Sequence, residues 1–315
     1  MTDMAVRIGN LTLANPVMPA SGTFAEGLAE VVDLNRLGAL VTKTITRELR
    51  DGNPLPRVAE VECGMLNAIG IPSKGVAHFL ETTLPLYRRW WPPLIVSISA
   101  PTAEGFAALA AHVSVPGVAA IEANISCPNI DEDGRAFAMR AASAEGVIRQ
   151  LRAATALPLW AKLTPNTGEI AEVASACEAA GADAVVVANT ILAMAIDLRS
   201  FKPRLGNLMG GLSGPAVKPI VLRQVYQCWR AVRIPVIGCG GIATAADAAE
   251  YMLAGATAVQ VGTASFLQPN TMTDIIDGLS RFCETRELAR VSDLTGALTR
   301  EEADEEDLAW VGASA

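Results

Sequence analysis

Eight short apolar runs, each closed by a small or polar residue, set the terms on which this chain can fold. They are Asn15–Ser21, Ala39–Thr44, Leu94–Ala100, Ala119–Ser126, Leu157–Thr164, Ala184–Thr190, Ile234–Gly241 and Ala258–Ala264. Each is nearly continuous in apolar residues, as a parallel strand buried on both faces should be. Ala-rich helical patterns such as AEGVIRQLRAAT and TAADAAEYMLAGA lie between most of them. The second opens with Thr244 and Asp247 at capping-box spacing. Eight such units in 315 residues predict an α/β fold, a TIM (β/α)8 barrel, rather than a doubly wound sheet.

Two connections are too long for simple crossovers. One runs from Arg47 to Gly75, the other from Leu192 to Pro215. Both leave the C-terminal ends of strands, so the barrel carries elaborated loops on the face where barrel active sites are built. Residues 1–294 read as a single domain. Residues 295–315, with six acids between Glu301 and Asp307, read as a solvated acidic tail.

The net charge of −8 argues against nucleic acid as a partner. The start, MTDMAVRIGN, lacks the apolar core of a signal peptide. The most apolar window carries Asp183, Asn189 and Thr190, which suits a buried strand and not a membrane span. A cytoplasmic protein without a membrane partner is expected. The six cysteines form no CxxC pair, so no metal site is expected and the thiols read as free. His78 and His112 are the only histidines, and neither lies near a motif. Acid–base chemistry here must use another group.

The strand ends converge on one rim. In chain order they supply Ser21 and Gly22, Lys43 and Thr44, Ser97 and Ser99, then Asn124 and Cys127. Lys162, Asn189 and Thr190, Gly240 and Gly241, and Gly262 and Thr263 complete the set. The glycines close the last two strands, where barrels often cradle a phosphate. A lysine inside an apolar strand is costly unless paired or solvated. Lys43 and Lys162 beside a phosphate cradle suit a cofactor that gains negative charge, and a reduced flavin is one. Asn67, Asn124 and Asn189 offer donors and acceptors for a small polar ring or a carboxylate. Cys127 ends a strand just before Pro128 and a loop, Asn129–Arg140, that could act as a lid. With no histidine at hand, its thiol is better placed as a base than as a nucleophile.

The segments MPASGTF, TKT, GNPLPRVAE, GMLNAIGI, NISCPN, GGLSGPAVKPI, IPVIGCGGI and AVQVGTA together resemble the dihydroorotate dehydrogenases. The likeness runs from about Val6 to about Leu279 and is greatest to the class 1, B-type catalytic subunit. It implies a barrel holding one FMN and oxidising dihydroorotate to orotate in pyrimidine synthesis. Cys127 would be the base at C5, and the hydride at C6 would pass to the flavin. Lys43, Asn67, Ala68, Ile69, Gly70, Ile71, Asn124, Asn189 and Thr190 would meet the substrate. FMN would be held by Ser21, Gly22, Lys43, Thr44, Ser97 and Asn124, then by Lys162, Val187, Gly214, Gly240, Gly241, Gly262 and Thr263. The B type implies a homodimer flanked by partner subunits that carry FAD and a [2Fe–2S] cluster and reduce NAD. The A type would use fumarate instead.

Two segments depart from the family's pattern. The loop after NAIG reads IPSKG, where a Leu-Gln-Asn-Pro-Gly-like stretch is common, and Ser97 stands where Asn is frequent. Two other readings remain. One is a barrel reducing uracil-like rings, as in dihydropyrimidine dehydrogenase. The other is a non-redox aldolase or isomerase with Lys162 as a Schiff-base lysine.

Overall fold

A computed structural model describes residues 2–126 and 136–298. Eight parallel strands form one sheet: β1 (Val17–Pro19), β2 (Leu40–Val41), β3 (Leu94–Ile98), β4 (Ala120–Asn124), β5 (Leu159–Lys162), β6 (Ala184–Val187), β7 (Val236–Gly238) and β8 (Ala256–Val261). Each lies beside its chain neighbour, and β8 pairs with β1. The sheet curls until β1 and β2 meet, where Gly38 N–H donates to Val17 O at 2.8 Å. A Cβ on Gly38 would sit 2.0 Å from Asn15 O, so only glycine lets this seam close. All eight expected strands are present, and the fold is the expected barrel.

The longer α-helices around it are α1 (Ala103–Val113), α2 (Ala141–Ala154), α3 (Ile170–Ala179), α4 (Lys218–Ala231), α5 (Ala245–Leu253) and α6 (Thr271–Thr285). Their apolar stripes face the sheet. In α2 these are Ala144, Val147, Ile148 and Leu151, at the i, i+3, i+4, i+7 spacing of one helix face. The capping box of α5 forms: Asp247 N–H donates to Thr244 Oγ1 at 3.2 Å, and Thr244 N–H donates to Asp247 Oδ2 at 2.9 Å.

Three features differ from the sequence reading. An N-terminal hairpin, Val6–Ile8 with Leu11–Leu13, packs Val6, Ile8 and Leu13 into the core. Its alternating pattern, VRI and LTL, is short enough to be overlooked. The two long connections are also not simply loops. Their strands Ile191–Ala193, Gly210–Ser213, Gly64–Asn67 and Val58–Val61 form one antiparallel sheet in that order. Ala59, Leu66, Ala68 and Leu205 give this sheet its own small core. Finally, residues Thr295–Leu298, at the start of the expected tail, hold to the barrel. Thr295 Oγ1 donates to Ala256 O at 3.2 Å, and Gly296 N–H to Met252 O at 2.9 Å.

Candidate active site

Polar side chains at the C-terminal ends of β2, β3, β4 and β6 link across the rim. Thr44 Oγ1 lies 3.0 Å from Ser97 Oγ, and Asn124 Nδ2 donates to Thr44 Oγ1 at 3.3 Å. Ser126 Oγ donates to Asn124 Oδ1 at 2.6 Å and accepts from Asn189 Nδ2 at 2.6 Å. Asn189 Oδ1 accepts the Thr190 N–H at 2.8 Å. These bonds set the amide orientations, because an N–H can only donate. Asn189 Oδ1 faces the Thr190 amide, so its nitrogen faces Ser126. The Ser126 proton then goes to Asn124 Oδ1, which turns Asn124 Nδ2 toward Thr44. The departure at Ser97 is accommodated here: its side chain is fully buried against Thr44.

The covering sheet brings Asn67 to this rim. Asn67 Nδ2 donates to Gly211 O at 3.2 Å, and a Cβ on Gly211 would lie 1.9 Å from Thr190 Oγ1. Asn67 and Thr190 therefore flank one strand. Beyond Asn67, Ala68 N–H donates to Arg57 O at 2.8 Å, and the Ile69 carbonyl accepts from Asn53 N–H at 3.1 Å. Arg50 Nε donates to Gly70 O at 2.7 Å. Ile71 has φ +51, a left-handed conformation uncommon for a β-branched residue. The IPSKG loop is tied down by Ser73, whose Oγ accepts from Thr46 N–H at 3.1 Å and Gly75 N–H at 3.2 Å. A serine hydroxyl thus anchors the loop.

Inside the barrel Lys162 is 4% exposed. Its Nζ donates to Gln260 Oε1 at 2.9 Å and to Ser21 Oγ at 3.4 Å, with Cys239 Sγ at 3.8 Å. Gln260 Nε2 donates to Glu122 Oε2 at 2.6 Å, and Glu122 Oε1 lies 3.9 Å from Lys162 Nζ. Burial pushes the Cys239 thiol up against the opposing pull of Lys162, so it stays protonated. Glu122, Ser126 and Gln260 were not expected at the site. The signal was present for two of them: a charge inside AAIEANIS and an amide inside AVQVGTA.

On the opposite side the loops after β7 and β8 form the glycine cradle. Gly241 has φ +68, and a Cβ there would lie 2.9 Å from Gly214 O and 2.8 Å from Lys218 Cβ. The loop is thus packed directly on the start of α4. Tyr251 holds it from below: its hydroxyl donates to Gly240 O at 2.6 Å. Its ring fills the space a Gly238 Cβ would need. Lys218 Nζ donates to Asp247 Oδ1 at 2.5 Å and Glu250 Oε1 at 2.9 Å, joining α4 to α5. Burial works against the charge on Asp247. The hydrogen bonds from Lys218, Ala243 and Thr244 outweigh it and hold the carboxyl below the usual carboxylate range. By contrast, a Cβ on Gly22 would meet nothing within 4 Å, and one on Gly262 nothing closer than 3.6 Å. The cradle is open on that side. Thr263 Oγ1 donates to Ser213 Oγ at 2.8 Å and ties it to the covering sheet.

A family model described as dihydroorotate dehydrogenase matches residues 3–283. The chain belongs to the dihydroorotate dehydrogenase family. It is similar to the dihydroorotate dehydrogenase B (NAD(+)) catalytic subunit of Pelobacter propionicus, at 49% identity over 94% of this chain and 98% of that one. The same-named subunits of Desulforamulus reducens and Geobacter sulfurreducens are 49% and 48% identical, each over 94% of this chain and 98% of theirs.

Against that family's pattern, the structure joins many of the expected residues through side-chain bonds: Thr44, Ser97, Asn124 and Asn189 in one chain, Ser21 with Lys162 in another. Lys43 is half-buried between Thr42 and Thr44. The Val187 side chain is fully buried in the core, so only its backbone is available to a ligand. Cys127 lies outside the described residues; the chain up to it is fixed by Ser126. No helix among the described residues is long and apolar enough to cross a membrane.

Proposed function

We propose that this dehydrogenase oxidises (S)-dihydroorotate to orotate with FMN in de novo pyrimidine synthesis and passes the electrons to NAD through a partner subunit. The observation that carries the reading is the bonded chain Thr44–Asn124–Ser126–Asn189, in which Ser126 stands next in sequence to Cys127. It offers fixed amides to a small carboxylated ring.

The residues present fit FMN. The loop at Gly262 leaves open space that a side chain would take up, room for a phosphate, and the buried Lys162 ammonium answers a cofactor that becomes anionic. Gly240, Gly241, Gly262 and Thr263 would hold the phosphate end. Ser21, Gly22, Lys43, Thr44, Ser97, Asn124, Lys162, Val187 and Gly214 would hold the rest. When bound, FMN accepts the hydride that leaves C6 of the substrate.

The chain's own residues do the remainder. Cys127 takes the proton from C5 onto sulfur, so the C5–C6 double bond forms as both hydrogens depart. Lys43 holds substrate and cofactor together. Asn67, Asn124, Asn189 and Thr190 bind the carboxylate and ring, and Ala68 to Ile71 close over them. The sequence holds no clustered cysteine set for an iron–sulfur centre. A separate subunit with FAD and [2Fe–2S] therefore completes the route to NAD, on a homodimeric core in the cytoplasm.

The test is the visible spectrum of the purified chain, followed by dihydroorotate under anaerobic conditions. A yellow protein whose flavin band bleaches supports the reading. A yellow protein that keeps its band rejects the substrate, and a colourless one that takes up no FMN rejects the flavin. Reoxidation by fumarate, without a partner subunit, would move the protein to the fumarate-linked type.

A further inference from the structure

Glu122 and Gln260 are wholly buried in the barrel, on the inward faces of β4 and β8. Glu122 precedes Asn124 by two residues, so both point inward from the same strand. The register partners of Glu122 on the neighbouring strands are Ser97 and Trp160, neither of which carries a charge. Replacing a buried ionic group by apolar residues of like volume is often neutral or stabilising. A carboxylate kept here therefore calls for a reason beyond stability.

The geometry supplies one. A carboxylate only accepts hydrogen bonds and an ammonium only donates them. The Gln260 amide between them can satisfy both in one orientation alone: nitrogen toward Glu122 at 2.6 Å, oxygen toward Lys162 at 2.9 Å. That bond fixes one direction of the Lys162 ammonium. Its bond to Ser21 Oγ, on the strand end beside the open face at Gly22, fixes another. The carboxylate itself stands 3.9 Å from the ammonium, both buried, where charges act on each other more strongly than at the surface.

We propose that Glu122 and Gln260 are positioning residues for the flavin chemistry: Gln260 aims the Lys162 ammonium at the cofactor, and Glu122 offsets part of its positive field. The inference rests on the FMN reading above. An ammonium alone would favour the anionic reduced cofactor strongly. With the carboxylate behind it, the bound cofactor holds its electrons less tightly and releases them more readily to the next carrier.

The experiment is the midpoint potential of FMN bound to the wild-type protein and to Glu122→Gln, which keeps the shape and removes the charge. Melting temperature without FMN is measured alongside. The expected result is a higher potential in Glu122→Gln. An unchanged or lower potential, with or without a change in melting, overturns the proposal and leaves Glu122 a structural residue. Gln260→Met is the second variant, which keeps the carboxylate but unpins the ammonium. It should weaken FMN binding about tenfold, the effect of one hydrogen bond to a charged group. Unchanged FMN affinity there overturns the aiming role. A wild-type chain that takes up no FMN rejects the parent reading instead, and this inference with it.

Discussion

The Asn189 amide donates to Ser126 Oγ at 2.6 Å, joining the end of β6 to the end of β4 across the rim. The same hydroxyl donates to Asn124, so one serine orients two asparagines. Ser126→Ala strips a partner from both. It should cost about 1–3 kcal/mol of stability. Because a small misplacement of binding groups can cost as much as about 10²-fold in rate, kcat/KM for dihydroorotate should fall roughly 10- to 100-fold. Steady-state kinetics at matched FMN content check this. Unchanged kinetics would mean that the asparagines do not depend on Ser126.

Cys127→Ser tests the base. A serine hydroxyl is a far weaker base than a thiolate, so turnover near neutral pH should drop by about 10²–10⁴-fold while FMN content is kept. Cys63, whose side chain is exposed, is the control. Cys63→Ser should leave the kinetics near wild type. Full activity in Cys127→Ser would remove the residue from the chemistry.

The Lys218–Asp247 pair links pH to the cradle. Asp247 is held below its usual 3.8, so its contribution is present above that pH and lost as pH falls through the lowered folded value. For Lys218, burial opposes the charge, but the bonds to Asp247 and Glu250 hold it above its usual 10.5. Its contribution is therefore full below that pH and lost as pH rises through the raised folded value. Both side chains are less than a quarter exposed, at 15% and 21%. Asp247→Asn should lower stability at neutral pH by about 1–3 kcal/mol. Denaturant melts at a series of pH values should show the gap to wild type closing below pH 3.8. A gap that stays constant with pH would assign the loss to something other than charge.

The barrel was legible because burial on both faces leaves a local mark. Runs such as LIVSI and AVVV declare parallel strands wherever they occur, and the polar residue after each declares the rim. Lys162, Asn124 and the paired glycines followed from that pattern. The covering sheet did not follow from it. Its strands are short and rich in glycine, and the Asn67–Gly211 bond spans 144 residues.

The sequence alone determined the strand count, the order of the units and the set of polar groups at their ends, since each depends on neighbours a few residues apart. Only the tertiary structure decided which groups meet. Closing the sheet brings Gln260 to Glu122 across 138 residues, and no local periodicity encodes such a pair. The aim of Lys162 and the orientation of the two asparagines are products of that closure, while Asn67 is held by the separate antiparallel sheet.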